Sequence, residues 1–363
     1  MQVRQLKLVN FRNYKNLEVT FSPRYNLIYG NNGMGKTNLI EAIFVLALTK
    51  SFRGSLDKVL IMNDEKSLTI EGVISSLINT NYQITISNEG KKVKINDNNV
   101  KKLSDYISRI TVILFSSLDL RMIKDTPSVR RKSLNMDISS MDNCYLKLLS
   151  NYNKLLKQRN IYLKSMNINS NTDNDYLEVV TDKLIDIGLE INKYRTDFIN
   201  KINENISNIY KKITCEKGLC IEYISFFTNN TKEELKNNFK KVFQRDIILG
   251  KTQIGIHHDD LNFKLNGFNL RDYGSEGQQK NAIISYKLAE IEFFKEKNND
   301  EPILILDDLF SELDNDKINN LLNILDENIQ TFITTTNIDI VDEKIKEQSK
   351  KIVVKNGKIE EEL

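Results

Sequence analysis

Asn26-Leu27-Ile28-Tyr29-Gly30-Asn31-Asn32-Gly33-Met34-Gly35-Lys36-Thr37-Asn38-Leu39-Ile40-Glu41 is the stretch that decides the fold. Its centre, Gly30 to Thr37, matches G-x-x-x-x-G-K-[ST] at every fixed position. Each fixed residue has its own physical task. The glycines let the backbone turn tightly and bring several N–H groups within reach of phosphate oxygens. Lys36 supplies positive charge for the β- and γ-phosphates. The Thr37 hydroxyl suits a magnesium ion held by few protein ligands plus phosphates. Asn26 to Tyr29 predicts a short strand entering the loop. Asn38 to Leu46 predicts a helix leaving it, with the positive end of its dipole aimed at the phosphates.

Outward from this loop, the first hundred residues alternate as half-buried strands do. Leu17, Val19 and Phe21 are spaced by two, as are Ile84 and Ile86, and Val93 and Ile95. Polar turns such as Ser87-Asn88-Glu89-Gly90 separate the runs, so a mainly antiparallel meander is expected beside the loop. Ile110 to Phe115 suits a buried strand.

Beyond Phe115 the period becomes helical. Tyr145, Leu148, Leu149, Tyr152, Leu155 and Leu156 share one spacing. Asn167 to Asp175 reads as a polar loop. Leu177, Val180, Leu184, Ile187, Ile191, Tyr194 and Phe198 then step by three and four, giving three heptads. A helix from Asp175 to Lys212 would be roughly 55 Å long at 1.5 Å per residue. Paired with the helix before it, it makes either a short projecting arm or an ordinary helix pair in a globular lobe, and the spacing fits both.

Near Gly250 the period changes again. Leu261, Phe263 and Leu265 alternate into an Asn266-Gly267 hairpin turn, followed by Phe268 and Leu270. A helix from Gln278 to Phe294 carries Ile283, Ile284, Leu288, Ile291 and Phe294 on one face. Strands are expected at Ile303–Leu306 and Thr331–Thr335, and a closing hairpin at Ile352–Ile359. The expected domains are therefore 1–115, the first half of a phosphate-loop domain; 116–245, a helical insertion; and 246–363, the second half.

Two further segments carry chemistry. Ile303-Leu304-Ile305-Leu306-Asp307-Asp308 delivers two carboxylates at the end of an apolar strand, where α/β sheets bind ligands. Asp307 is placed to hold magnesium opposite Thr37, and Asp308 to act as general base on an attacking water. In Tyr273-Gly274-Ser275-Glu276-Gly277-Gln278-Gln279, Ser275 takes an N-cap position and Gly277 permits close backbone approach. That helix start is a second candidate phosphate site.

Composition excludes several classes. Of 363 residues, 40% are hydrophobic and 28% charged, as in a soluble globular chain. Met1 to Lys7 holds no apolar signal core, and no run of about 18 apolar residues occurs. The expectation is a cytoplasmic protein with no membrane span. Cys144, Cys215 and Cys220 are three, without a C-x-x-C pair, so free, partly buried thiols are expected. The 52 basic and 49 acidic residues nearly balance, so any DNA surface must come from local clusters. The candidates are Lys91, Lys92 and Lys94; Lys101 and Lys102; Arg130, Arg131 and Lys132; and Arg53 beside the loop helix.

The order of motifs resembles the ABC-type ATPases: phosphate loop, long insertion, S-x-G-Q, aspartate strand, then Ser311-Glu312-Leu313-Asp314 in the place of the D-loop. More closely, the chain resembles the RecF family of bacterial recombination-repair ATPases, related to the heads of SMC and Rad50 proteins. Val9-Asn10-Phe11-Arg12-Asn13-Tyr14, Ser51-Phe52-Arg53, Gln158-Arg159-Asn160, His257 to Leu261 and Gln330 to Thr336 add to the match. The resemblance implies an α/β ABC-type ATPase head, a P-loop NTPase with an antiparallel β subdomain and an inserted helical lobe. It implies ATP and Mg2+ as cofactors, held by Gly30, Asn31, Asn32, Gly33, Met34, Gly35, Lys36, Thr37 and Asn38. Ser275, Gly277, Gln278 and Asp314 would complete the site of a second copy, making an ATP-bound homodimer. Lys36, Asp308 and Ser275 would carry a weak DNA-stimulated ATPase used as a switch.

The partners implied are double- and single-stranded DNA near junctions, RecO and RecR, and the RecA pathway, in gap repair, replication and the SOS response. Cohesin-like or Rad50-like heads would carry far longer coiled coils than 116–245 can hold, and a transporter ATPase would lack the Phe11-Arg12-Asn13-Tyr14 start. Three departures stand out. His258 replaces the family's arginine, Lys280 replaces another, and Thr334 to Thr336 offers a hydroxyl where ABC ATPases have a histidine.

Overall fold

Alternating apolar residues at the start of the chain build a meander, and continuous apolar runs elsewhere build a parallel sheet. The computed structural model describes residues 1–107, 109–168, 174–298, 300–311, 313, 318, 321–322 and 325–362. The chain divides into two units, Met1–Arg121 with Ile283–Leu363, and Met122–Ala282.

In the first unit, β1 (Gln2–Phe11), β2 (Tyr14–Thr20), β4 (Ser67–Ser75), β5 (Asn79–Ser87), β6 (Gly90–Ile95) and β7 (Asn98–Asn99) form a sheet in the order β2-β1-β4-β5-β6-β7. Every pairing in it is antiparallel. In β4 buried and half-buried residues alternate strictly, the pattern of a sheet with one face in the core.

The other sheet combines β3 (Tyr25–Tyr29), β8 (Val112–Ser116), β12 (Ile303–Asp307), β13 (Thr331–Thr335), β14 (Ser349–Lys355) and β15 (Lys358–Glu362), ordered β15-β14-β3-β13-β12-β8. Its pairings are parallel except β14 with β15. Strands β8, β12 and β13 are buried at every residue, as parallel strands covered on both faces must be. The register sets Tyr29 beside Thr335, and Thr334 beside Asp307. Strand ends that are far apart in sequence thus meet at one edge of the sheet. The loop helix spans Lys36–Leu48 and is buried from Leu39 onward. Each buried Leu, Ile or Phe contributes about 1.5–3 kcal/mol, so burial dominates its stability.

The second unit holds helices Pro127–Met141, Asn143–Ile168, Asn174–Thr214 and Lys232–Leu249, with β9 (Leu219–Ile224), β10 (Asp260–Leu265) and β11 (Phe268–Asn269) in the order β11-β10-β9. The long helix runs 41 residues. Its seam residues Leu177, Val180, Leu184, Ile191 and Phe198 are buried, and so is Arg195 between them. It packs on Asn143–Ile168, on Lys232–Leu249 and on β9, so the globular-lobe reading holds rather than a free arm. Of the expected polar loop, 169–173 lie outside the described residues.

Four expectations change. Strand β10 pairs with β9 across its whole length, so the inserted unit reaches Ala282, beyond the boundary expected at 245. Leu270 begins a short helix, Leu270–Tyr273, instead of continuing β11, because the Asn269 side chain caps it by accepting the Arg271 N–H. The helix Glu276–Asn298 is buried around its whole circumference between Ala282 and Ile291, including Lys287 and Glu290, which pair at 3.0 Å. The three cysteines are free but exposed, Cys220 on the outward side of β9.

Candidate functional site

The phosphate loop lies between β3 and the loop helix. Gly35, at φ 116°, forms the N-cap of that helix. A side chain at Gly35 would meet Asn13 Nδ2 at 2.5 Å and the Tyr14 hydroxyl at 3.0 Å, so only glycine fits. A cavity of about 210 Å3 opens over the loop, lined by Asn32, Gly33, Gly35, Lys36, Thr37, Asn38, Arg53, Asp308 and Thr334.

Lys36 is buried, and its Nζ donates to the Gly30 carbonyl at 2.7 Å and the Asn31 carbonyl at 3.0 Å. Burial pulls its pKa down, and the negative charges of Asp308 and Asp307 oppose that shift. Thr37 Oγ1 donates to Asp307 Oδ1 at 3.1 Å. Thr334 Oγ1 donates to the same oxygen at 2.9 Å. Burial raises the Asp307 pKa, while the two hydroxyl bonds and Arg53 act the other way.

A hydroxyl and a carboxylate oxygen side by side form a hard-oxygen donor pair, the kind magnesium takes beside nucleotide phosphates. Among the described residues, no group of three or more His, Cys, Asp or Glu is arranged to hold a metal. A magnesium bound chiefly through phosphate and water needs no such cage. Asp308 follows β12 at φ 53°, a strained position for a non-glycine, and its N–H is fixed by Thr334 Oγ1 at 2.9 Å.

The structure adds residues that motif reading gave no part in the chemistry. Arg12 grips Glu41 with two bonds of 2.9 Å, and Glu41 is fully buried one turn into the loop helix. Ser51 also donates to Glu41. Arg53 lies 3.9 Å from Glu41, donates to Asn38 Oδ1 at 3.1 Å and covers the Phe52 ring. Asn38 in turn donates to Asn13 at 2.8 Å. This chain of bonds fixes Arg53 at the cavity wall. A lone carboxylate inside the apolar run Leu39-Ile40-Glu41-Ala42-Ile43 was the available signal.

The second candidate site is a well-formed helix start. Ser275 Oγ accepts the Gln278 N–H at 3.2 Å, and Gln278 Oε1 accepts the Ser275 N–H at 3.0 Å, a reciprocal capping box. A Cβ on Gly277 would meet nothing within 4 Å, so that face stays open. Asp314 lies outside the described residues.

The basic clusters divide. Arg130 is 2% exposed and bonds Asp260 at 2.6 and 3.0 Å and three backbone carbonyls, so it is not available to DNA. Arg131 donates to the Asp259 carbonyl at 2.7 Å. Lys91 is held by the Thr49 carbonyl and by Asp57 at 2.8 Å. Lys92, Lys101, Lys102 and Lys132 are exposed. His257 takes a structural position, between the Tyr152 hydroxyl at 3.0 Å and the Thr252 carbonyl at 3.1 Å.

A parallel sheet that carries a phosphate loop and a neighbouring aspartate strand, beside an antiparallel sheet and interrupted by a helical lobe, defines an ABC-type ATPase head. The family model for the RecF/RecN/SMC N terminal domain matches residues 2–360. The DNA replication and repair protein RecF of Streptococcus agalactiae is 43% identical over 93% of this chain and 92% of its own. That of Ligilactobacillus salivarius is 37% identical over 100% of this chain and 98% of its own. A solved structure of the recombination mediator protein RecF-ATPrS in the RecFOR pathway superposes with a TM-score of 0.92 at 32% identity, covering 100% of this chain and 98% of that one. An Smc head bound to the C-winged helix domain of ScpA shares the fold alone, with a TM-score of 0.56 at 14% identity. The chain belongs to the RecF family.

Proposed function

We infer that this protein is an ATP-dependent DNA replication and repair factor. ATP drives its homodimerisation on DNA near junctions of single strand and duplex, assisting RecA loading together with RecO and RecR, and hydrolysis resets the dimer. One observation carries this reading: Lys36, Thr37, Asp308 and Thr334 line one cavity, and Asp307 is bonded to two of them. The family relationship and the ATP bound in a similar RecF structure, 32% identical, support the choice of nucleotide.

When bound, magnesium-ATP supplies the phosphoanhydride and the charge that neutralises its oxygens. Lys36 exchanges the Gly30 and Asn31 carbonyls for phosphate oxygens. Thr37 and Asp307 would hold the metal. Asp308 takes a proton from water, and Thr334 keeps the Asp307 carboxylate and the Asp308 backbone in place. Ser275, Gly277 and Gln278 serve the nucleotide of the second copy. The product is ADP and phosphate, formed slowly and faster on DNA. The working site is the cytoplasm; among the described residues no helix is long and apolar enough to cross a membrane.

Sedimentation of the full chain with a gapped duplex, with and without ATP, tests the reading. A DNA-bound dimer only in the ATP arm is expected. Monomers in both arms would remove the switch.

A further inference from the structure

The N–H groups of the phosphate cradle are oriented by bonds made on the far side of the loop. Among the described residues no peptide is cis. In a trans peptide the carbonyl of one residue and the N–H of the next point in opposite directions. Fixing the carbonyl therefore aims the following N–H. The Met34 carbonyl accepts Asn13 Nδ2 at 3.1 Å and the Gly357 backbone N–H at 3.2 Å. The Gly35 carbonyl accepts the Tyr14 hydroxyl at 3.0 Å, besides the first helical bond from Leu39 at 3.0 Å. The N–H groups set by these two carbonyls belong to Gly35 and Lys36, both lining the cavity.

Gly357 comes from the far end of the chain, and its position is determined by the last hairpin. Lys355 pairs with Lys358, which leaves Asn356 and Gly357, at φ 48° and 71°, as a two-residue turn of type I′. A Cβ at Gly357 would stand 2.3 Å from the Asn13 carbonyl oxygen. The same hairpin bounds the start of the loop, where a Cβ on Gly30 would lie 2.4 Å from the Val354 carbonyl oxygen. The Asn356 N–H also points at Met34 Sδ at 3.4 Å. Tyr14 is fully buried, and burial pushes its pKa upward, so its hydroxyl stays a donor.

We propose that the C-terminal turn Asn356-Gly357, with Asn13 and Tyr14, is a brace that sets the Met34–Gly35 and Gly35–Lys36 peptides so that their N–H groups face the bound phosphates. These are positioning residues; the inference rests on the reading that this loop holds a nucleotide. The last hairpin of the chain is thereby part of the nucleotide site, although no phosphate-binding motif includes it.

The test titrates the full chain with an N-methylanthraniloyl derivative of ATP plus Mg2+. Wild-type binding that Lys36→Ala abolishes establishes the nucleotide site; absence of wild-type binding would remove that reading and the brace together. Gly357→Ala and Gly357→Asn should each weaken binding by about tenfold, the scale of one lost charge-assisted hydrogen bond. Asparagine tolerates the left-handed φ, so an equal loss in both assigns the effect to the Cβ pressing on Asn13.

Gly90→Ala is the control, because Gly90 also has positive φ (120°) in a hairpin of the same unit and has nothing within 4 Å of its would-be Cβ. It should bind as wild type. The 31P resonances of saturating ATP should shift in the Gly357 variants and not in Gly90→Ala, a difference that lost stability alone would not produce. If the Gly357 variants fail to fold, Asn13→Ala, at an exposed side chain, removes the other donor to Met34 and should weaken binding several-fold at unchanged melting temperature. Wild-type affinity in Gly357→Ala, or an equal loss in Gly90→Ala, would overturn the brace, as would wild-type affinity in Asn13→Ala if that variant has to stand in.

Discussion

Thr334 donates its hydroxyl to Asp307 at 2.9 Å and accepts the Asp308 backbone N–H at 2.9 Å, so one side chain organises both acidic residues. It comes from the strand next to theirs, at the register position opposite Asp307. Thr334→Val keeps the shape and removes both bonds. It leaves a backbone N–H unsatisfied, so a loss of about 1–3 kcal/mol is expected in denaturant unfolding, with hydrolysis slowed and ATP still bound. Thr334→Ser should restore most of both.

Lys36→Ala removes the loop's only side-chain cation and should abolish nucleotide binding and, with it, ATP-dependent dimers. Asp308→Asn keeps the shape, removes the charge and the proton acceptor, and should bind ATP while accumulating dimer. Sedimentation velocity distinguishes the two. An Asp308→Asn dimer no longer-lived than that of the wild type would contradict the general-base role.

Glu41 is fully buried and receives Arg12 through two 2.9 Å bonds. Glu41→Ala strands the Arg12 guanidinium beside an apolar helix, and breaking such a buried pair costs about 3–5 kcal/mol. A lowered urea midpoint is expected. Arg53 should also loosen at the cavity wall, seen as weaker nucleotide affinity in the fraction that folds.

The arginine pair at 130 and 131 gives opposite expectations to the exposed lysines. Arg130→Ala breaks its bonds to Asp260 and should destabilise the second unit without changing the salt slope of DNA binding. If Lys101 and Lys102 meet phosphate, replacing each by Ala should reduce that slope by about one. Filter binding across a salt series measures it.

His257 is held neutral. Burial pushes its pKa from 6.5 down to about 4, and the charges of Arg131 and Arg159 and the His258 ring add to the shift. The unfolded chain therefore binds the proton more tightly than the folded one between those values. Stability is complete above pH 6.5 and falls as pH drops toward 4, by up to about 3 kcal/mol. His257→Gln should flatten this part of the urea-midpoint profile. Proton NMR should show one histidine titrating near 4.

The phosphate loop, the aspartate strand and the Ser275 helix start could be read from the sequence because each is a contiguous string whose backbone geometry is local. The meander was readable for the same reason, since period-two alternation reports a sheet with one buried face. Ile283, Ile284 and Leu288 mark one apolar face on the helix Glu276–Asn298, yet Lys287 and Glu290 are buried too, paired with each other. Arg130 looked like a DNA contact beside Arg131 and Lys132, because a run of charge does not reveal that Asp260 lies opposite.

The sequence by itself determined that this chain builds a phosphate-loop head with two carboxylates at the end of a neighbouring strand, because strand, loop and helix are specified within a few residues. Only the tertiary structure decided what holds that loop in place. The bonds from Asn13, Tyr14 and Gly357 to Met34 and Gly35 join segments from both ends of the chain. Such contacts depend on the order and register of strands in two sheets, and no local spacing encodes them.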